Sequence, residues 1–233
     1  MISLFIPCYN EEKMIEENIK KIYETLRKLK KPFELIIVND GSTDKTEFIA
    51  KRFAPKQKEI KYMFYENGPS RRENLAEAMK KAKGEIIVFM DLDLSVDLVY
   101  LPKLIESIEA GNDVAIGSRY KGVQARRTLG RKIISTIYNF IMQTYLKSKI
   151  HDHQCGFKAF KKEKLLPLLE EIGYDSKFER GWFWDVELLV RAQKKGYKID
   201  EFSVQWHAGK QSSFDLKREL KMLPYVLKLK WRI

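Results

Sequence analysis

Apolar residues in the first half of the chain come in short runs that alternate with longer amphipathic stretches. Four runs have the length and composition of buried strands, at residues 2–6, 34–38, 60–65 and 85–90. Helices are predicted between them: one from Asn10, read as its N-cap, to about Leu29, one opened by a capping-box-like pair of Asp44 and Glu47, and one over 70–82. Strand and helix in alternation predict an α/β fold with a doubly wound, mostly parallel sheet flanked by helices.

The second half of the chain is less regular. Strands are predicted at 113–117, 155–160 and 199–206, and helices at 133–146 and 184–194. A basic amphipathic stretch runs over 214–233 and is broken at Pro224. Since no repeat or linker divides the chain, we expect one domain over 1–210, followed by a basic amphipathic C-terminal segment over 211–233.

Composition adds a charge and a compartment to this picture. Lys and Arg number 44 against 32 Asp and Glu, and the resulting net charge of +12 suits nucleic acid, an anionic membrane surface or a phosphate-rich ligand. Cys8 and Cys155 match no disulfide or zinc spacing, which favours a reducing compartment. No run reaches the roughly 18 apolar residues of a spanning helix, and the N-terminus has no signal-peptide pattern.

Polar, mostly acidic segments follow three of the predicted strands directly. They are Pro7-Cys8-Tyr9-Asn10-Glu11-Glu12, Val38-Asn39-Asp40-Gly41-Ser42-Thr43-Asp44 and Asp91-Leu92-Asp93. In a doubly wound sheet these segments converge at the carboxyl edge, where open α/β folds bind ligands. An aromatic ring there can pack on a base or ribose, and carboxylates can accept nucleoside hydrogen bonds. The site therefore suits a nucleotide.

The pair Asp91 and Asp93 suits Mg²⁺ or Mn²⁺, because both ions prefer hard oxygen ligands and often hold substrate phosphates as well. The chain has no GxGxxG motif and no P-loop, so phosphates would be held through the metal instead of a glycine cradle. The alternative is that Asp93 or Ser95 only caps a following helix.

In this order and spacing, the motifs PCYNEE, VNDGSTD and the Asp-x-Asp of MDLDLS resemble those of family 2 glycosyltransferases with the Rossmann-like GT-A fold. In the second half, GSRY, RRTLGRKIIS, DHQCGFKAF and WDVELLVRAQ are similar to polyprenyl-phosphate hexose synthases, and nearest to the dolichyl-phosphate glucose synthase branch. The resemblance implies inverting, metal-dependent transfer of one hexose, with UDP-glucose favoured, from a nucleotide-sugar donor to a polyprenyl or dolichyl phosphate. GDP-mannose as the donor and a soluble glycan as the acceptor stay open as alternatives.

The resemblance also implies roles for single residues. Those expected to bind the nucleotide are Pro7, Tyr9, Asn10, Glu11, Val38, Asp40, Asp91 and Lys210. Those expected to hold the metal are Asp91 and Asp93, and those expected to grip the acceptor phosphate are Arg119, Arg131 and Ser135, with Arg127 added on local grounds. The expected catalytic set is Asp91, Asp93, Arg119, Arg131 and Asp185.

A polyprenyl monophosphate has a second pKa of about 6, so it is largely a dianion at neutral pH and needs no strong general base. Arginines suit this acceptor because they stay charged and bind phosphate bidentately. Asp185 and Glu187 stand two apart on a predicted helix and cannot share a face. We expect Asp185 to reach the site, the alternative being a solvent-facing helix start.

Three further features qualify this interpretation. Ser95 stands where mannose-type relatives commonly have Gln, which argues against a mannose donor. Arg71 or Arg72 could touch the diphosphate, although exposure at a helix start is the simpler expectation. The segment 151–155 offers His, Asp and Cys side chains, but zinc usually needs four well-spaced ligands, so we expect no zinc site there and expect residues 154–158 to line the acceptor pocket.

The remaining expectations concern partners and location. Segments 133–146 and 222–233 could lie on a bilayer, and we expect a peripheral enzyme at the cytoplasmic face of the membrane. Nucleic acid is not an expected partner, because the chain carries no binding motif and the acidic sheet edge would repel a phosphate backbone.

Overall fold

The computed structural model describes residues 1–53, 56–69, 72–120, 140, 142–175, 180–181, 183–207, 225, 227–230 and 232. Within these ranges the strands are β1 (Ile2–Cys8), β2 (Phe33–Asn39), β3 (Ile60–Phe64), β4 (Ile86–Met90), β5 (Val114–Ser118), β6 (Phe157–Lys161) and β7 (Ile199–Ser203). The helices are α1 (Ile15–Lys28), α2 (Thr46–Lys51), α3 (Arg72–Met79), α4 (Leu101–Glu109), α5 (Lys162–Ile172) and α6 (Phe183–Lys194).

The described strands form one seven-stranded sheet in the order β3-β2-β1-β4-β6-β5-β7. Strands β1 to β4 are all parallel, and β5 and β7 are parallel to each other. Strand β6 lies antiparallel between β4 and β5, so the sheet is mixed but mostly parallel, as predicted. Because β6 begins at the edge where β4 ends, the segment just before β6 lies beside the acidic loops.

Helices cover both faces of the sheet, because alternate strand residues point to opposite faces. Leu4 and Ile6 of β1 pack with α1, α2 and α4, whereas Phe5 packs with α3, α5 and α6. A further cluster on the outer side of α6 joins Phe183 to Tyr225, which lies in a helical part of the C-terminal segment. Each fully buried Leu, Ile or Phe contributes roughly 1.5–3 kcal/mol, so these clusters account for much of the stability.

Strand and helix limits differ from the predictions in instructive places. Strand β1 continues through Pro7 to Cys8, because β4 pairs with β1 only as far as Phe5 and the missing N–H of Pro7 costs no hydrogen bond on that side. Asn10 is not an N-cap: it has a positive φ of 53°, and α1 begins at Ile15.

The capping box at Asp44 and Glu47 is also wrong as predicted. Lys45 occupies the N-cap position of α2, and the carboxylate of Asp44 accepts hydrogen bonds from the backbone N–H of Thr46 (2.9 Å) and of Glu12 (3.2 Å). Helices α4 and α5 were not predicted.

The two segments proposed for membrane contact are described only in part. Residues 140, 142–145, 225, 227–230 and 232 are helical, whereas 133–139 and most of 214–233 lie outside the described ranges. Among the helices that the structure describes, none has both the length and the apolar character needed to cross a bilayer.

Candidate active site

The loops after β1 and β2 are bound to each other by side chains. The backbone N–H of Asn10 donates to Oγ of Ser42 (3.0 Å), and Oδ1 of Asn10 accepts from the N–H of Thr43 (2.8 Å). The N–H of Glu11 donates to Oγ1 of Thr46 (2.7 Å). Asn10 therefore lies at the predicted edge and joins two loops there, which its left-handed backbone permits.

The nucleoside-side residues lie at the same edge. Asp40 is buried and accepts a hydrogen bond from Nδ2 of Asn74 on α3. A Cβ on residue 68 would lie 1.8 Å from the carbonyl oxygen of Asp40, so only glycine allows these two loops to approach. The ring of Tyr9 is 37% exposed and open to a planar ligand, whereas the side chain of Val38 lies in the core beneath the edge.

Asp91 is held by the segment that precedes β6. Its N–H donates to the carbonyl oxygen of Gly156 (2.9 Å), and a Cβ on residue 156 would lie 1.8 Å from Oδ2 of Asp91. The carboxylate of Asp91 therefore occupies the space that a side chain at 156 would need. The antiparallel strand β6 thus fixes the position of the first Asp-x-Asp carboxylate.

Asp93 closes a turn. Its two carboxylate oxygens accept from the N–H (3.0 Å) and the hydroxyl of Ser95. The helix-cap alternative for Asp93 is wrong, because Asp97 caps the following 3-10 turn through the N–H of Val99 (2.9 Å). Each carboxylate oxygen keeps a second lone pair, so the turn leaves Asp93 able to bind a cation.

The acidic loops lie close enough together for their carboxylates to influence one another's pKa. Burial, helped by the negative charges of Asp93, Asp44 and Asp91, raises the pKa of Glu11 to about 7. Burial also raises the pKa of Asp91, although Arg72 opposes that shift. Carboxylates that repel one another in this way attract a cation.

Asp185 is brought to the same place by α6. It is 1% exposed, so the alternative of a solvent-facing helix start is wrong. Its Oδ1 lies 2.9 Å from Nζ of Lys158, and its Oδ2 lies 3.3 Å from Nε of Arg72. Nη2 of Arg72 in turn lies 3.5 Å from Oδ1 of Asp91. Glu187 points elsewhere, to Arg191 and to the hydroxyl of Tyr225 (2.6 Å).

The structure places two basic residues, Arg72 and Lys158, differently from what the sequence predicted. Arg72 was expected to lie exposed at a helix start, but its side chain is only 15% exposed. Lys158 is fully buried in β6, and its ammonium donates to the carbonyl oxygen of Cys155 and lies 5.0 Å from the ring centre of Phe89. A lysine between apolar residues in the run 157–160 was the available signal.

Arg119, at the end of β5, is bound by a carboxylate. Its Nε and Nη2 each lie 2.7 Å from an oxygen of Asp152, and its backbone N–H donates to the same side chain (2.9 Å). Burial alone would raise the pKa of Asp152, but Arg119 holds it below its ordinary value. The guanidinium also lies 5.9 Å from the ring centre of Trp206. Two of its three nitrogens are thus engaged within the protein.

The other residues predicted for the acceptor phosphate, Arg127, Arg131 and Ser135, lie outside the described ranges, as does Lys210. Their roles stay predictions.

The side chains of segment 151–155 contact separate partners. Nδ1 of His151 lies 2.9 Å from Glu201, and Nε2 of buried His153 lies 2.7 Å from Oγ of Ser148. Burial lowers the pKa of His153 to about 4, which keeps the ring neutral.

Divalent metal fits the residues present. Among the described residues no group of three or more His, Cys, Asp or Glu is arranged to hold a metal, so the protein would supply few ligands. Mg²⁺ and Mn²⁺ are commonly bound by one or two carboxylates, the rest coming from water and substrate phosphate. The oxygen-only donor set of Asp91 and Asp93 matches that preference.

A doubly wound, mostly parallel sheet that gathers acidic loops at its carboxyl edge defines the class of this α/β protein, and solved structures of the same fold confirm the predicted GT-A fold. The chain belongs to glycosyl transferase family 2: the sequence model described as "Glycosyl transferase family 2" matches residues 3–168. That family consists of enzymes that transfer sugars.

Relatives cover the chain almost completely. This chain is 35% identical over 237 residues to "Glycosyltransferase AglD" of Haloferax volcanii, and the alignment covers all of this chain but only 37% of AglD. It is 30% identical over 244 residues to "Dolichyl-phosphate beta-glucosyltransferase ALG5A" of Trichomonas vaginalis, covering 98% of this chain and 72% of that one. The "Dolichyl-phosphate beta-glucosyltransferase" of Dictyostelium discoideum is 28% identical over 251 residues, covering 99% and 74%. The chain thus spans little more than a third of AglD.

Solved structures share the fold. Glucosyl-3-phosphoglycerate synthase from Mycobacterium tuberculosis in complex with UDP superposes with a TM-score of 0.70 at 20% identity, over 100% of this chain and 79% of that one. The same enzyme with Mn²⁺, UDP and phosphoglyceric acid gives a TM-score of 0.67 at 21% identity, over 98% and 76%.

Proposed function

We propose that the protein transfers a single hexose from a nucleotide-diphosphate sugar, with UDP-glucose favoured, to a polyprenyl or dolichyl phosphate. The observation that carries the proposal is the convergence of four acidic residues at one sheet edge: Glu11, Asp40, Asp91 and Asp93. Arg119, just after β5, and Asp185, on α6, lie at the same edge although they belong to the second half of the chain. The relatives named as dolichyl-phosphate beta-glucosyltransferases support glucose as the sugar and dolichyl phosphate as the acceptor.

The donor half of the site is formed by the loops after β1, β2 and β4. Tyr9 packs on the nucleoside, and Asp40, fixed by Asn74, accepts its hydrogen bonds. Bound Mg²⁺ or Mn²⁺, held by Asp91 and Asp93, would stabilise the negative charge of the leaving nucleoside diphosphate. Gly156 keeps Asp91 in place for that role.

The acceptor half is formed around Arg119. Asp152 fixes the plane of the guanidinium by binding Nε and Nη2, which leaves Nη1 for a phosphate oxygen. Arg131, Arg127 and Ser135 would complete the grip, and Lys210 would help hold the donor. An oxygen of the acceptor phosphate forms the new bond to the anomeric carbon as the bond from that carbon to the nucleoside diphosphate breaks, which inverts the configuration.

No general base is required, because the acceptor oxygen is already ionised. Asp185 serves this site differently: its carboxylate is ion-paired to Lys158 and Arg72 and keeps both cations beside the diphosphate position. Proximity and fixed charges therefore supply most of the catalysis.

We also propose peripheral binding to the cytoplasmic face of the membrane. In the C-terminal segment Tyr225 and Leu229 are buried, whereas Leu227 is 55% exposed. The exposed residues Lys228, Lys230 and Arg232 follow Leu227 in the same segment. Phe140, 64% exposed, lies on the helix whose Tyr145 donates to the carbonyl oxygen of Leu227 (3.0 Å). Apolar side chains ringed by cations suit an anionic bilayer surface.

The test is transfer of radiolabelled hexose into a lipid phase. Purified protein is incubated with polyprenyl phosphate and Mg²⁺ or Mn²⁺, with UDP-glucose and GDP-mannose in parallel. We expect label from UDP-glucose to enter the lipid, to be lost on chelation, and to fall at least about 100-fold in Asp91→Asn, since one electrostatic contact to the transition state contributes about that much.

Glu106→Gln is the matched control, because Glu106 is exposed on α4 and the change removes the same charge. Transfer from GDP-mannose alone would refute the donor assignment. Transfer to glycans or phosphoglycerate with none to polyprenyl phosphate would refute the acceptor assignment.

A further inference from the structure

Four charged side chains form a row of alternating sign beneath the donor site. Lys158 on β6 binds Asp185 (2.9 Å), Asp185 contacts Nε of Arg72 (3.3 Å), and Nη2 of Arg72 contacts Asp91 (3.5 Å). The row thus crosses from the acceptor half of the sheet to the Asp-x-Asp motif.

Exposure increases along this row. The side chains of Lys158 and Asp185 are 0% and 2% exposed, that of Arg72 is 15% exposed, and that of Asp91 is 39% exposed. Solvent, and any incoming cation, therefore reaches the row at its Asp91 end.

The two cations of the row differ in how well they are bound. The ammonium of Lys158 is saturated by Asp185, the carbonyl oxygen of Cys155 and the face of Phe89. The contacts of Arg72, at 3.3 Å and 3.5 Å, exceed the 2.7–3.2 Å of an ordinary N–H···O hydrogen bond. Within the described residues, Oδ2 of Asp185 has no hydrogen-bond partner. The guanidinium also lies 5.8 Å from the ring centre of Phe89, but it is shared between two carboxylates and fully hydrogen-bonded by neither.

We propose that Arg72 is the resident counter-ion of Asp91 and that a divalent cation must displace it from that carboxylate. The guanidinium then turns fully onto Oδ2 of Asp185, which is already 3.3 Å away and has the capacity to accept. Asp185 is in this scheme a positioning residue that holds Arg72 in both states. The inference rests on the proposed metal-assisted function.

Competition of this kind links the metal to the nucleotide. A guanidinium next to Asp91 repels a dication, so metal binds the free protein weakly. The diphosphate brings negative charge of its own and offsets that repulsion, so metal and nucleotide each strengthen the binding of the other.

The experiment measures Mn²⁺ binding, not activity, by the electron paramagnetic resonance signal of free Mn²⁺ without nucleotide. Removing a unit charge from contact with a ligand carboxylate should strengthen binding, and for Arg72→Met we expect about 10-fold, equivalent to about 1.4 kcal/mol. Arg72→Lys keeps the charge and should stay within about threefold of the wild type. Lys80→Met, which removes the same charge from an exposed position just after α3, should change binding less than twofold.

A second variant tests the role of Asp185. Asp185→Asn weakens the site that receives Arg72, so Mn²⁺ binding should weaken. The effect should shrink in the Arg72→Met background, since a double-mutant cycle isolates the part that passes through the arginine.

Unchanged or weaker Mn²⁺ binding by Arg72→Met, in protein with a wild-type circular dichroism spectrum, would overturn the inference and leave the proposed function standing. Absence of Mn²⁺ binding by the wild type, even with UDP, would overturn the metal-assisted function and the inference with it.

Discussion

Replacing Gly156 by alanine should disable the site by moving one carboxylate. The added Cβ would lie 1.8 Å from Oδ2 of Asp91, and ordinary contact begins at 3.4 Å, so the two groups must separate by about 1.6 Å. Misplacement of a reacting group by 1 Å costs about 100-fold in rate. We therefore expect kcat to fall at least about 100-fold, equivalent to about 2.7 kcal/mol, together with about 1–3 kcal/mol of stability lost to overpacking.

Gly196→Ala separates these two losses. Gly196 follows α6 with φ +73° and has nothing within 4 Å of its Cβ position, so alanine there strains the backbone without touching the site. It should lose about 1 kcal/mol in urea unfolding and keep its kcat. If Gly156→Ala keeps more than half of the wild-type kcat and binds Mn²⁺ normally, the reasoning from the close approach is refuted.

Three further outcomes are expected. Asp152→Asn should raise the KM for polyprenyl phosphate about 10-fold and leave that for UDP-glucose unchanged, because Arg119 loses its bidentate partner; equal changes in both would contradict this. Lys158→Met should cost about 3 kcal/mol in urea unfolding by leaving the buried carboxylate of Asp185 short of a cation, and Lys158→Met/Asp185→Asn should recover part of it. The pKa of Glu11 rises on folding from 4.5 to about 7, so between these pH values the folded state binds a proton that the unfolded state does not. In metal-free buffer the free energy of unfolding should therefore fall as pH rises from about 4.5 to about 7, and Glu11→Gln should make that fall smaller.

The sequence predicted the convergence of the acidic loops because that depends only on strand direction. Parallel strands end at one edge, so Asp40 and Asp91 were expected at the same edge once the alternation of strand and helix was recognised. The antiparallel direction of β6 leaves no mark on its five residues, so the approach of Gly156 to Asp91 could not be predicted.

The row of charges under the site was hidden for a related reason. A basic residue at a helix start is normally solvated, so Arg72 was expected to be exposed. It is buried because Asp185, distant in sequence, faces it from α6. Burial of Lys158 likewise depends on Asp185 and Phe89, which are distant in sequence, so no local pattern encodes it.

The antiparallel insertion of β6 also dictates an order of assembly during synthesis. Strands β1 to β4 can pair as soon as residue 90 has left the ribosome, because each has its parallel neighbour within that stretch. Strand β5 emerges next, but its sheet partners β6 and β7 lie downstream. It must therefore wait as an unpaired apolar strand until Phe157–Lys161 arrives to join it to β4. Arrested nascent chains ending between these strands should be the ones most open to protease and most in need of a chaperone.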